Sequence, residues 1–189
     1  HFLYKENIHA LYSSLETKYR KFSLQAGLRY EYTGYDANQL GNVLQKDSAF
    51  SRNYSGLFPS GYISYQVDSS NSFSVTIGRR IDRPAFQKLN PFTFIINKYT
   101  YQTGNPFFLP QYSWNIELGH QYKSIVTTSV SYSTIKNYFS QLFLTDTAKG
   151  ILYYSEGNVG RTHNIGLSAT LIVSPFKWWS LTAQAVFNH

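Results

Sequence analysis

The chain has 189 residues, of which 14% are charged and 18% aromatic, with 17 tyrosines, no cysteine, no methionine and a formal net charge of +7. That length suffices for one domain with its own core, yet charge is scarce beside the usual value of about 25%, too scarce for an ordinary water-facing surface. No run of roughly 18 apolar residues exists to form a transmembrane helix, so a membrane crossing would have to be made by strands.

From Tyr4 to Glu16 the positions Ile8, Ala10 and Tyr12 are expected on one face opposite Asn7, His9 and Ser13, with Leu11 out of pattern. Thr17 to Lys21 read as a short turn. The cleanest strand follows, with Phe22, Leu24, Ala26, Leu28, Tyr30 and Tyr32 alternating against Ser23, Gln25, Gly27, Arg29 and Glu31. Asp36 to Asn53 read as a long polar loop. Ile63, Tyr65 and Val67 then oppose Tyr62, Ser64 and Gln66, and Asp68 to Ser72 turn the chain into a strand in which Phe73, Val75 and Ile77 alternate with Ser74, Thr76 and Gly78.

Between Gly78 and Tyr122 the alternation is interrupted. Pro84, Pro91, Pro106 and Pro110 each lack a backbone donor and fix φ, so a structured loop without a sheet ladder is expected there. Alternation resumes with Trp114, Ile116 and Leu118 against Asn115, Glu117 and Gly119. A tight turn at Lys123-Ser124 leads into Val126, Thr128, Val130 and Tyr132, a loop near Asp146 to Gly150 follows, and Ile165, Leu167, Ala169, Leu171 and Val173 descend to a turn at Ser174 to Lys177. The last strand carries Trp179, Leu181, Ala183, Ala185 and Phe187.

About eight strands, with short turns at one end and longer loops at the other, predict an all-β, antiparallel up-and-down transmembrane barrel meander. A soluble sandwich alternates too, but here the mid-strand apolar positions hold no Asp, Glu, Lys or Arg. The opposite faces are Ser, Thr, Asn, Gln and Gly, with the few charges Arg29, Glu31, Arg80 and Glu117 among them. Arg29, Glu31 and Glu117 are therefore assigned to the lumen. Aromatic residues gather at strand ends, as a membrane interface favours.

The stretch from Gly78 to Tyr122 also carries a resemblance. Arg83-Pro84, Leu89-Asn90-Pro91-Phe92, Gly104-Asn105-Pro106 with Pro110, and Asn115-Ile116-Glu117-Leu118-Gly119 follow one another as they do in TonB-dependent receptors, and most closely in the outer-membrane β-barrels of Bacteroidota-type bacteria. Phe108 stands where that family usually has leucine, and Gln111 where it has glutamate. Gly27-Leu28-Arg29-Tyr30-Glu31, Asn158-Val159-Gly160 and Asn164-Ile165-Gly166-Leu167 look like strands of the same family. The resemblance covers nearly the whole chain but only the barrel part of a receptor.

It implies an integral location in the outer membrane of a Gram-negative bacterium and energised import of a bulky nutrient. The implied partners are outer-membrane lipid, a plug domain, a TonB-type energy-coupling protein and a surface lipoprotein. Such transporters have about 22 strands. Residues 1–189 would be one segment of that wall, with no plug domain and no signal peptide visible; the missing methionine and the strand still running at His189 predict a piece cut at both ends.

Two other readings stay open at this stage. A complete eight-stranded barrel would serve as an anchor or adhesin, its last strand pairing with its first. A barrel hydrolase would have to use His9 with Ser13 or Asp36, which no spacing forces together. The chain has no phosphate loop, GxSxG elbow, HExxH or paired-cysteine motif, and its five histidines lie on separate elements. No enzyme activity, metal or cofactor is expected. Nucleic acid is not expected either, because the 17 Lys and Arg form no compact stripe; the turn cations Lys18, Arg20, Lys21, Lys123 and Lys177 suit anionic lipid headgroups better. Candidate contacts to ligand or plug are Arg80, Asp82, Arg83, Tyr101, Phe107 and Phe108. The three charged residues could instead pair with each other, and the aromatic ones could form a mini-core for the loop.

Overall fold

The structure, a computed structural model, describes residues 2–41 and 47–189. Its main sheet is built from β1 (Phe2–Tyr19), β2 (Phe22–Gln39), β3 (Ser48–Gln66), β4 (Asn71–Asp82), β7 (Gln111–Tyr122), β8 (Val126–Lys136), β11 (Arg161–Phe176) and β12 (Trp179–Asn188). These pair antiparallel in that order, so the main sheet is the expected eight-stranded meander. A second, four-stranded sheet holds β5 (Thr93–Asn97), β6 (Thr100–Thr103), β9 (Phe139–Asp146) and β10 (Ile151–Asn158), in the order β5-β6-β10-β9. Among the described residues β1 pairs only with β2 and β12 only with β11, so the sheet is open and the closed eight-stranded barrel does not form.

Register defines the two faces. Directly paired residues share a face, and Leu24, Ile63, Val75, Leu118, Val130 and Leu167 stand in one row across the sheet. One position along each strand, Ser23, Ser64, Ser74, Gly119, Ser129 and Ser168 make a row of small polar groups on the other face. Arg29, Glu31, Arg80 and Glu117 fall on this polar face, hereafter the inward one.

β1 is phased opposite to the expectation from its sequence. Leu11 and Leu15 pair with Tyr30 and Ala26 on the outward face, while Ala10 and Tyr12 pair with Glu31 and Arg29 and point inward. The sheet edge has one neighbour, so a smooth apolar pattern is not imposed on it, and Leu11 marks the outward phase.

Short turns close one end. Arg20 (φ 53°) and Lys123 (φ 50°) take left-handed conformations in two of them, and in the β3–β4 turn Asp68 Oδ1 accepts from the amides of Ser70 (2.6 Å) and Asn71 (2.8 Å). At the lower end of β11 the strand runs on to Phe176, which pairs with Trp179. The expected turn at Ser174 to Lys177 is instead a register shift between Val173 and Phe176 followed by a turn at Lys177-Trp178.

At the other end the strands outrun the sheet's crossing length. Most of the expected loop from Asp36 to Asn53 is strand, because β2 continues to Gln39 and β3 begins at Ser48, whereas residues 42–46 of that expectation lie outside the described residues. Above Ser60 and Gly78 the β3–β4 ladder stops. Pro59 has no N–H to extend it, and Arg79 fills the opening by donating Nη1 to the Leu57 carbonyl at 2.9 Å.

Sequence reading also missed the second sheet. The prolines at 84, 91, 106 and 110 bound a proline-free stretch, and within it β5 and β6 form a hairpin after the short helix α1 (Phe86–Leu89). Beyond Lys136 the β8–β11 pair bends at Asn137 (φ 57°) and Gly160 (φ 52°) and continues as β9–β10. β10 then takes up β6 in parallel.

Candidate functional site

The inward face carries the site, in two storeys. In the lower one a cleft of about 540 Å³ lies along β1 to β7, lined by Tyr12, Gln25, Tyr62, Thr76, Arg80 and Glu117 among others. The upper storey lies where β1 to β3 extend past the sheet's crossing length. There alternate residues of β2 are buried, with Glu31 8%, Thr33 0%, Tyr35 5%, Ala37 0% and Gln39 3% exposed. The cover is the segment between β4 and β7, folded back over the inward face.

Its motif residues hold that fold together. Asn90, Asn97 and Asn105 each accept, through Oδ1, the amide two residues on, of Phe92 (3.1 Å), Tyr99 (2.9 Å) and Phe107 (2.9 Å), the local turn that asparagine favours. The Asn105 amide donates to the Lys88 carbonyl at 2.7 Å. Gly104 is required by this approach, since a Cβ there would run into the Asn90 carbonyl oxygen. Asn158 clamps the far end, accepting from the Leu109 amide at 2.7 Å and donating to the Leu109 and Asn137 carbonyls at 2.8 Å. Lys88 of α1 is ion-paired with Glu156 of β10. Leu89 and Phe108, each 1% exposed, pack on Tyr35, with Tyr4, Phe50, Tyr54 and Phe139 around them. The Phe108 and Phe139 rings lie 4.6 Å apart at 57°.

Beside this small core sits a polar network. Arg83, the first residue after β4, donates to Glu31 and, through Nη2, to the Thr33 hydroxyl at 3.0 Å; its Nε donates to the Tyr54 hydroxyl at 3.1 Å. Glu6 approaches the same guanidinium at 3.9 Å, and Arg29 pairs with Glu31 from below. One buried carboxylate is thus shared by two guanidiniums, one on the inward wall and one in the covering segment. Burial pushes the Tyr35 and Tyr54 phenols, which lie above the crossing length, up from their ordinary values, with Arg52 and Arg83 respectively pulling the other way. Both remain protonated at neutral pH.

The profile of the outer membrane protein beta-barrel family matches residues 1–189. The chain belongs to that family. It is an integral outer-membrane β-barrel protein of a Gram-negative bacterium. No curated protein sequence matches it. Among solved structures the fold is similar to that of the siderophore receptor PirA from Pseudomonas aeruginosa, with a TM-score of 0.65 and 14% identity over 98% of this chain and 43% of that one. The hemophore receptor HasR of Serratia marcescens, solved with its hemophore HasA and heme, gives 0.69 and 17% over 88% and 32%. The copper transporter OprC gives 0.64 and 14% over 97% and 29%. This barrel segment therefore spans less than half the length of each of them.

In this barrel segment the predicted site residues are dispersed. Arg80 borders the cleft, as does Glu117. Asp82 accepts from Gln111 Nε2 at 3.0 Å. Arg80, Asp82 and Arg83 do not pair with one another; Arg83 turns to Glu31 and Glu6 because it has left the ladder and enters the covered interior. Phe108 is a packing residue with no surface to offer a ligand, whereas Phe107 is 73% exposed, its ring 5.5 Å from the Arg52 guanidinium. Tyr101 meets Tyr153 edge to face at 5.7 Å.

Sequence reading missed Glu6, Thr33, Arg52 and Tyr54. Arg52 falls where a loop was expected and Tyr54 just beyond it, although Phe50, Arg52, Tyr54, Gly56 and Phe58 already alternate with Ser51, Asn53, Ser55 and Leu57. Among the described residues no group of three His, Cys, Asp or Glu could hold a metal ion.

Proposed function

We propose that residues 1–189 form one segment of the wall of a TonB-dependent outer-membrane receptor that imports a bulky nutrient. The observation that carries this reading is the open sheet itself. Among the described residues each of its two edge strands pairs on one side only, its inward face is polar and clefted, and a folded segment covers the loop end of that face. Wide transport barrels need an interior of this kind, which an eight-stranded barrel filled by its own side chains does not leave.

The similarity to a siderophore receptor, a hemophore receptor and a copper transporter supports a transport role. In this reading a plug domain occupies the inward side, where Arg80 and Glu117 are placed to meet it by charge-assisted hydrogen bonds. A TonB-type protein couples energy, and Tyr101 and Phe107 contact nutrient or a surface lipoprotein at the mouth. Nutrient uptake by cells carrying the full-length protein should disappear when the TonB-type partner is deleted, and fall in a Tyr101→Ala/Phe107→Ala variant at unchanged barrel yield. Uptake that is indifferent to the energy-coupling protein would sink the transporter reading.

A further inference from the structure

The outward face ends, on the loop side, in a step from apolar to cationic. β8 has 11 residues, about what one tilted strand needs to cross the hydrocarbon. From the short turn upward its outward positions are Val126, Thr128, Val130, Tyr132, Thr134 and Lys136; those of β11 are Leu171, Ala169, Leu167, Ile165, His163 and Arg161. The register sets Lys136 directly opposite Arg161. Both are exposed, and neither has an ion-pair partner among the described residues. The outward positions of β4, β7, β8 and β11 include no Asp or Glu.

Like charges directly opposite in a ladder, with Cα atoms about 5 Å apart, repel. The backbone holds them there. The Asn137 amide donates to the Gly160 carbonyl at 3.0 Å and the Val159 amide to the Tyr138 carbonyl at 2.8 Å, so the strand exits are tied immediately beyond the two cations. His163 lies two positions below Arg161 with Nδ1 2.8 Å from the Tyr132 hydroxyl, which leaves Nε2 for another partner. Tyr112 stands opposite Lys136 on the β7 side, and tyrosine at this height suits a membrane interface.

We propose that Lys136 and Arg161, with His163 beside them, bind a phosphate of the phosphorylated glycolipid headgroups in the outer leaflet. A phosphate relieves the repulsion, and a guanidinium beside an ammonium can grip it through several charge-assisted hydrogen bonds. The apolar rows directly beneath give the attached acyl chains a surface, which a free phosphate would not use. The inference rests on the outer-membrane placement and is independent of the transport reading. It concerns the end of the barrel opposite the basic short turns.

The test uses the full-length protein in phosphatidylethanolamine nanodiscs containing either bis-phosphorylated or dephosphorylated lipid A, with the lipid retained after detergent exchange counted by native mass spectrometry. Wild type should retain the phosphorylated form about tenfold more than a Lys136→Gln/Arg161→Gln variant, the effect of losing a hydrogen bond to a charged group. It should show no such retention of the dephosphorylated form. A Lys98→Gln/Lys149→Gln variant, altered only in loop cations, should behave as wild type, and millimolar inorganic phosphate should not displace the lipid. Equal retention of both lipids by wild type, which needs no variant to fold, would overturn the proposal. So would undiminished retention by the double variant. Displacement by inorganic phosphate would reassign the site to the free anion.

Discussion

Replacing Phe108 by alanine tests whether the segment between β4 and β7 is a packed cover. Phe108 is 1% exposed, sits against Leu89 and Tyr35, and faces Phe139 across 4.6 Å. Removing a buried phenyl ring costs about 3–5 kcal/mol when the surroundings cannot collapse. Collapse is hindered here because Leu109 is clamped by Asn158 and Gly104 is wedged against Asn90. Below the upper storey the main sheet keeps its own ladder without this core, so the loss should appear as local opening. At about 1.4 kcal/mol per factor of ten, the opened fraction of the segment should rise about a hundredfold or more. Hydrogen exchange of the β6 and α1 amides in the reconstituted protein, read against those of β7, measures it directly. Phe107→Ala is the internal control, since a ring that is 73% exposed contributes little packing. If the two variants exchange alike, or if β7 loosens together with β6, the segment is not an independently packed cover and the two-storey description fails.

Further expectations follow from the two faces and the turns. Leu167→Arg should impair assembly in lipid by roughly 2–4 kcal/mol, while Ser168→Arg, on the inward face, should be tolerated; equal labelling of cysteines at 167 and 168 by a water-soluble reagent would contradict the lipid assignment. Glu31→Gln leaves Arg83 and Arg29 without their shared carboxylate, and should cost the upper storey about 2 kcal/mol, the price of a hydrogen-bonded charge lost from a buried site; unchanged exchange of the Thr33 amide would show that the network is not holding the cover. Asp68 is held below the ordinary aspartate value by the Ser70 amide first and then by the Asn71 side chain and amide. A depressed folded pKa means the turn gains stability above the unfolded value and loses it as pH falls through the folded one, so its NMR titration midpoint should lie below about 3.9. A midpoint at or above that value would contradict the hydrogen-bonded turn.

The outward strands of this protein were legible residue by residue. Lipid contact demands an apolar side chain at every second position, and Leu24, Val75, Leu118, Val130 and Leu167 satisfy it without reference to anything distant. The turns at Asp68 and at the basic corners Arg20-Lys21 and Lys123-Ser124 were legible for the same local reason, because they close hairpins by themselves, whereas the corner after β11 was expected too early. The residues around Arg83-Pro84 and Gly104-Asn105-Pro106 announced a structured interruption.

What lay beyond local pattern was decided by pairing across long stretches of chain. Nothing local marks Thr33, Tyr35 and Ala37 as buried; the central segment that covers them decides it. Phe107 and Phe108 are chemically identical neighbours, and only the turn at Asn105 sends one to the interior and the other to solvent. β1, with a single neighbour, could not be phased from its own apolar residues. Arg83 follows Asp82 in the sequence, yet it pairs with Glu31, 52 positions away, because of where β4 leaves β3. The cationic step at Lys136 and Arg161 needed the register of β8 against β11, since 25 residues separate them in the sequence. Side-chain alternation is a property of one strand, whereas register, cover and charge neighbourhood are properties of strands brought together.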